Sequence, residues 1–238
     1  MIGIFSKTTD SSIIESVTLS GLDFIIIDQE HGPVSRERLF DHIRAVSNDS
    51  LAIVRVAELN HNLIGAAYDA GAHGVQVPNI SSVEEAKSAI EAARFYPKGM
   101  RGVCRFVKAA SYGSMDKVDF FKNENEKLLI LQVEGTKGIE NIDAILSLDG
   151  FDILFIGPYD LSQSLGIPGQ IQHHLVQDNI IKIVQKAKAK NIKVGTFVDT
   201  FEDLTNMKKL GIDYIAFSVD VNIFYNACKS IINQYVEN

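Results

Sequence analysis

Four short stretches carry the kinds of side chain that move protons, hold cations and bind acids. Asp28-Gln29-Glu30-His31-Gly32-Pro33 follows an apolar run, Arg55 closes a second, Gln132-Val133-Glu134-Gly135 ends a third, and Gly157-Pro158-Tyr159-Asp160 ends a fourth. The imidazole of His31 titrates close to neutral pH, which suits it to proton transfer, although a histidine just after a strand also serves as a cap or a packing residue. A guanidinium such as that of Arg55, set in a run that should be buried, needs an anion, either a neighbouring carboxylate or a substrate. Glu134 and Asp160 admit three readings: two solvated loop acids, a general acid paired with a general base, or two oxygen ligands sharing one divalent cation with waters. The N–H groups of the loop 157–162 form a candidate nest for a carboxylate.

These stretches are useful together only if the fold brings them to one place. Short β-branched or aromatic runs alternate with segments of helical spacing along the whole chain. The runs cover 2–6, 24–28, 52–56, 74–78, 128–133, 153–156, 193–198 and 214–218. The helical segments cover 11–19, 36–46, 63–70, 83–95, 139–148, 178–189, 201–210 and 221–236. Eight of each, over 238 residues, predict a single α/β domain, 1–238, folded as a (β/α)8 TIM barrel. A doubly wound sheet is the alternative, but Ser6-Lys7-Thr8-Thr9-Asp10 after the first run lacks the glycines of a phosphate-binding turn. In a barrel, the C-terminal strand ends share one face, and all four polar stretches lie at such ends. Gly21, Gly71 and Gly211 fall where helices should stop. The stretch 96–126 is too long for a bare connection; it predicts a short helix over 115–123 and a lid over one end of the barrel.

Composition narrows the function further. The chain is 46% hydrophobic and 22% charged, as in ordinary globular proteins, which excludes disordered and fibrous classes. With 23 basic and 30 acidic residues the net charge is −7, unsegregated, so no nucleic-acid partner is expected. Apolar runs are strand-sized and the N-terminus lacks a signal-peptide pattern, so neither a membrane partner nor export is expected, and a cytoplasmic location is. Cys104 and Cys228 read as packing residues of a reducing compartment. His61, His73, His173 and His174 read as surface or loop residues. No lysine stands out as a Schiff-base former, since Lys127 precedes a strand and Lys193 starts one. A cation, an anion-binding loop, an arginine and a histidine, without a covalent nucleophile, suit enolate chemistry on a small 2-oxo acid.

Asp28-Gln29-Glu30-His31-Gly32-Pro33, Gly74-Val75-Gln76-Val77-Pro78, Tyr96-Pro97-Lys98-Gly99-Met100-Arg101-Gly102-Val103, Gln132-Val133-Glu134 and Phe155-Ile156-Gly157-Pro158-Tyr159-Asp160-Leu161-Ser162 together resemble the HpcH/HpaI aldolase family. The members are metal-dependent class II aldolases of 2-keto-3-deoxy acids, and the resemblance runs in order over nearly the whole chain. It implies reversible cleavage of a 2-keto-3-deoxy sugar acid or 4-hydroxy-2-oxo acid to pyruvate and an aldehyde. It also implies that Glu134 and Asp160 hold a divalent cation, Mg²⁺ or Mn²⁺ first and Co²⁺ or Zn²⁺ next. Gln132 would support the oxo acid, the backbone of Gly157, Pro158, Tyr159 and Asp160 would receive its carboxylate, and Arg55 would face the enolate oxygen. His31 would take the hydroxyl proton through a metal-bound water. Asp69 would support that histidine from a neighbouring subunit, which makes the protein a homo-oligomer, trimeric or hexameric, with the last helix, 221–236, exchanged between barrels.

Departures from the family pattern bear on the substrate. Tyr159 stands where many relatives have a small residue, and Phe197 falls at the aldehyde pocket, so two aromatics narrow the site or offer a sugar chain a face to stack on. The turn 96–99 has one proline rather than two, and 170–173 has none. Arg101 and Arg105 read as solvated loop residues or as attractors of an acidic tail. An oxaloacetate decarboxylase or a pyruvate–aldehyde synthase is the alternative with the same enolate, and a noncatalytic sugar-acid-binding barrel is the remote one.

Overall fold

The computed structural model describes residues 1–237; Asn238, the last residue of the expected domain, lies outside the described residues. Eight parallel strands close into a barrel in sequence order: β1 Ile2–Ser6, β2 Phe24–Asp28, β3 Leu51–Arg55, β4 Gly74–Val77, β5 Leu128–Val133, β6 Ile153–Ile156, β7 Lys193–Val198 and β8 Tyr214–Val219. No strand departs from its expected span by more than one residue at either end. Closure between β1 and β8 resolves the alternative in favour of the barrel.

Residues that alternate along the strands divide into two cores. Inward-facing Phe5, Phe24, Ile26, Ile53, Ile130, Ile153, Phe155 and Tyr214 fill the barrel, while the intervening residues pack against the helices. Phe24 and Tyr214 stack at 3.8 Å between centroids, and Gly3 lies so close to Phe24 that a side chain on it would collide with the Phe24 carbonyl and ring. The helices are α1 Ser11–Thr18, α2 Arg36–Ala45, α3 His61–Asp69, α4 Val83–Ala93, α5 Lys117–Asn125, α6 Thr136–Glu140, α7 Ile142–Ile145, α8 Pro158–Ser164, α9 His174–Ala189, α10 Phe201–Leu210 and α11 Asp220–Glu237. Several start at a side-chain cap, namely Asp10, Ser35, Asn60, Ser82 and Thr200, each satisfying N–H groups that the first turn leaves open. Gly21, Gly71 and Gly211 all adopt positive φ at helix ends, as expected.

Four expectations change. The segment 139–148 is broken into α6 and α7, and Gly157 to Ser162 opens helix α8, with Pro158 in its first turn, rather than a loop. The stretch 96–126 does form a short helix, α5, but it packs Phe120 against Phe95 and Ala110 beside the start of β5, at the end opposite the candidate site. It is therefore no lid over that site. Cys104 and Cys228 are exposed rather than packed. Among the described residues, no helix is long and apolar enough to cross a membrane.

Candidate active site

Nine of the ten residues singled out from the sequence line one cavity of about 280 Å³ at the C-terminal strand ends: His31, Arg55, Gln132, Glu134, Gly157, Pro158, Tyr159, Asp160 and Phe197. Register explains the first pairing. Asp28 and Arg55 are direct neighbours in the β2–β3 ladder, and Arg55 donates from Nε and Nη2 to the two oxygens of Asp28 at 2.9 and 2.8 Å. Its Nη1 lies 3.0 Å from Glu30 Oε2, and the guanidinium stands 4.6 Å from the Phe5 ring centroid. The anion that Arg55 requires is thus supplied by carboxylates of the chain. Burial alone would raise the pKa of Asp28, but the hydrogen bonds and charge of Arg55 outweigh it and hold the carboxyl below its ordinary value. Glu30 goes the other way, raised chiefly by burial.

Asp28 also accepts from the backbone N–H groups of Glu30 and His31, which folds the turn after β2 and sets His31 at the rim, more than half exposed. Its Nε2 is 4.0 Å from Glu30 Oε2. A turn that exposes an imidazole over a cavity leaves it accessible to a reactant.

On the opposite wall, Gln132 and Glu134 point inward from the end of β5, both almost fully buried. Gln76 donates to Gln132, whose Nε2 donates to Glu134 Oε2 at 2.5 Å. Burial pushes the Glu134 carboxyl up to about 7 against those hydrogen bonds, and the like charges of Asp160 and Glu30 add to the rise. A Cβ at Gly157 would sit 2.5 Å from Glu134 Oε2, so a side chain there would displace the carboxylate from its place in the cavity. Asp160 lies exposed in the first turn of α8. Tyr159 donates to Asp199 Oδ2 at 2.5 Å and meets Phe197 edge-on at 5.9 Å. Burial first, and then Asp199, push its hydroxyl up to about 12.

Asp69 is not in the cavity. It ends α3 at the far end of the barrel, where Arg101 Nη2 holds it at 2.5 Å. Arg101 is buried and also pairs with Glu124 at 2.9 Å, while Arg105 donates to backbone carbonyls; neither arginine reaches the cavity or lies free in solvent. His73 accepts from the Ala52 N–H at 2.9 Å.

Four contributors escaped the sequence reading. Lys7, the residue after β1, lines the cavity, so a strand-end lysine does exist. Asp28 and Glu30 were visible as acids but not as the partners of Arg55. Asn79, at φ 59°, donates its N–H to Glu134 Oε1 at 2.9 Å and its side-chain amide to Glu30 Oε1 at 3.1 Å, tying the two walls together. Asparagine tolerates this left-handed conformation better than most residues, and its place directly after Val77-Pro78 was the available signal.

The family model described as HpcH/HpaI aldolase/citrate lyase matches residues 1–227. The 2-keto-3-deoxy-L-rhamnonate aldolase of Klebsiella pneumoniae subsp. pneumoniae is 33% identical over 229 residues, covering 95% of this chain and 85% of the relative. That of Salmonella typhi is 33% identical over 96% of this chain and 86% of the relative. Among solved structures, an HpcH/HpaI aldolase/citrate lyase family protein from Burkholderia cenocepacia J2315 superposes with TM-score 0.94 at 29% identity, covering 100% of this chain and 95% of the other. The citrate synthase SbnG superposes with TM-score 0.90 at 28% identity, covering 99% and 93%. Sequence and barrel agree over nearly the full length, and this chain belongs to the HpcH/HpaI aldolase/citrate lyase family.

Proposed function

We propose that the cavity catalyses reversible aldol cleavage of a 2-keto-3-deoxy sugar acid or 4-hydroxy-2-oxo acid to pyruvate and an aldehyde, a carbon–carbon lyase reaction. The observation that carries this reading is the approach of two carboxylates, buried Glu134 and exposed Asp160, in one cavity with Arg55 and His31. Among the described residues, no group of three or more His, Cys, Asp or Glu side chains is arranged to hold a cation. A cation here would draw two oxygens from the protein and the others from substrate and water, the mode that hard divalent ions such as Mg²⁺ or Mn²⁺ adopt. The residues fit that ion: both donors are carboxylates, and a buried Glu134 beside like charges is relieved by a positive ion. When bound, such a cation supplies Lewis-acid polarisation of the 2-oxo group.

The chain's own groups do the rest. Gln132 orients Glu134, and N–H groups of the first turn of α8, which lack intrahelical partners, face the substrate carboxylate. His31 takes the proton from the 4-hydroxyl. The C3–C4 bond breaks, its electron pair passes toward the 2-oxo oxygen near Arg55, and C3 then gains a proton to give pyruvate. Asp69, at the opposite barrel end, supports His31 only from a second copy of the chain. An exchanged C-terminal helix fits the same oligomer, because every residue from 221 to 236 is exposed, Phe224 and Tyr235 among them.

The test is pyruvate release from a panel of these acids with Mg²⁺ or Mn²⁺ and after chelation. Activity should vanish on chelation and return with the ion; turnover indifferent to chelator would remove Glu134 and Asp160 as ligands. The structural likeness to a citrate synthase favours one second reading, a synthase that forms a carbon–carbon bond, and condensation of pyruvate with an aldehyde by a protein that cleaves no acid of the panel would support it.

Tyr159 and Phe197 bound the acceptor end. Trimming either to alanine should shift kcat/KM toward longer aldehydes by about fivefold or more, since each methylene in such a pocket is worth ~1–3 kcal/mol. An unchanged chain-length profile in both variants would place the aldehyde elsewhere.

A further inference from the structure

Gln76 is fully buried in β4, beneath the cavity rather than on its lining. Val75 and Val77 on either side pack against the helices, so Gln76 points into the barrel. The interior is split there. Phe5, Phe155 and Phe197 contribute rings from β1, β6 and β7, while Asp28, Arg55, Gln76 and Gln132 follow one another on the consecutive strands β2 to β5. An apolar side chain at position 76 would be the less costly occupant. Among the described residues, Gln76 Oε1 is buried without a hydrogen-bond partner, and a polar atom left so is unfavourable. Its other end, Nε2, is engaged.

Gln76 Nε2 donates to Gln132 Oε1, and the direction of that bond agrees with the one above it. A carboxylate that holds a cation is ionised and can only accept hydrogen bonds. Gln132 must therefore turn its Nε2 toward Glu134, and it donates to Oε2 at 2.5 Å. The Gln132 carbonyl then faces back into the barrel, where Gln76 is the donor that meets it. Glu134 Oε1 accepts separately from the Asn79 N–H at 2.9 Å. Each carboxylate oxygen thus takes one protein donor and keeps a lone pair for another partner. Without Gln76, the amide of Gln132 either keeps a buried, unsatisfied carbonyl or swings out of line with Glu134.

We propose that Gln76 is a positioning residue for the cation site, acting through Gln132 to hold the Glu134 carboxylate in the orientation that receives a divalent ion. This role rests on the reading of Glu134 as a ligand given above. Partners behind a metal ligand fix its direction before the ion arrives, and they commonly set affinity by about 10–100-fold.

The experiment measures Mn²⁺ dissociation constants without substrate, from the EPR signal of the free ion, for the wild type, Gln76→Leu, Gln132→Leu and the double variant. Gln132→Leu should weaken binding by about tenfold or more and Gln76→Leu by about fivefold or more, since both disturb the groups behind one ligand. In the Gln132→Leu background, Gln76→Leu should change the constant by less than about twofold, because a residue that acts through another then has nothing left to act on. Urea unfolding shows which variants fold. Gln76→Met, with a flexible side chain that fills irregular space, repeats the single change if leucine disturbs the barrel. Wild-type affinity in Gln76→Leu and Gln76→Met would overturn the role. So would an effect of Gln76→Leu that persists undiminished in the Gln132→Leu background, which would make Gln76 a packing residue. Mn²⁺ bound equally by the wild type and the Gln76 variants rejects the positioning role alone, whereas a wild-type protein that binds no Mn²⁺ rejects the cation reading and this role with it.

Discussion

Replacing Arg55 by alanine is expected to destabilise the barrel by about 3–5 kcal/mol and to abolish turnover, because it leaves Asp28 as a buried carboxylate without a counter-charge. Asp28 is fully buried, and Arg55 supplies hydrogen bonds to both of its oxygens. Urea unfolding of both proteins measures the loss. The pH dependence has a defined sign. The folded-state pKa of Asp28 is depressed, so its stabilising contribution is present above the ordinary 3.8 and is lost as pH falls through the folded value. In the variant that depression is absent, so the stability gap between the two proteins should narrow on acidification. Arg55→Ala combined with Asp28→Asn should recover part of the stability without activity. A single variant within 1 kcal/mol of wild type would show that water reaches Asp28 and that the pair is not closed.

Glu134→Gln should reduce pyruvate release by about 10²–10³-fold while the chain stays folded, the scale of losing a preorganised electrostatic group at the reacting centre. The native carboxyl also predicts a linkage. Its folded pKa, about 7 through burial first, lies above the ordinary 4.5. A raised group contributes stability that is complete below the unfolded value and is lost as pH rises through the folded one. The cation-free protein should therefore lose thermal stability between about pH 4.5 and 7, and a divalent cation should restore it. Because the ligand must be ionised, binding at pH 6.5 should release most of a proton. Calorimetric titration in two buffers of different ionisation heat reads this directly, and heats independent of buffer would mean that Glu134 is already ionised or does not bind the ion.

The barrel was legible because both of its periods are strong: strand runs of four to six residues and helices with one apolar stripe. The wall formed by Gln132, Glu134, Gly157 and Asp160 was legible because the fold assigns strand ends to one face. What escaped was set by register and long-range contact. The Asp28–Arg55 pairing depends on which residues of β2 and β3 face each other, which composition does not encode. Arg101 looked like a loop residue until the packing of α5 buried it against Asp69 and Glu124. Gly157 to Ser162 looked like a loop because glycine followed by proline marks turns, and the same pair equally opens a helix. Lys7 drew no notice because a lysine after a strand is ordinarily solvated, and only closure of β1 against β8 shows what it faces.

The contacts of Asp220 tie the site to the order in which the chain is made. Its carboxylate reaches back 214 residues to Ser6, so the segment bearing Lys7 is made early and meets this partner only when nearly the last strand and helix exist. Until then the first βα loop has His42 of α2 against Thr8 O and the β1–β2 ladder as its supports. Closing β1 against β8 therefore does two things at once: it seals the barrel and brings the carboxylate that gathers the N–H groups at the mouth of the cavity.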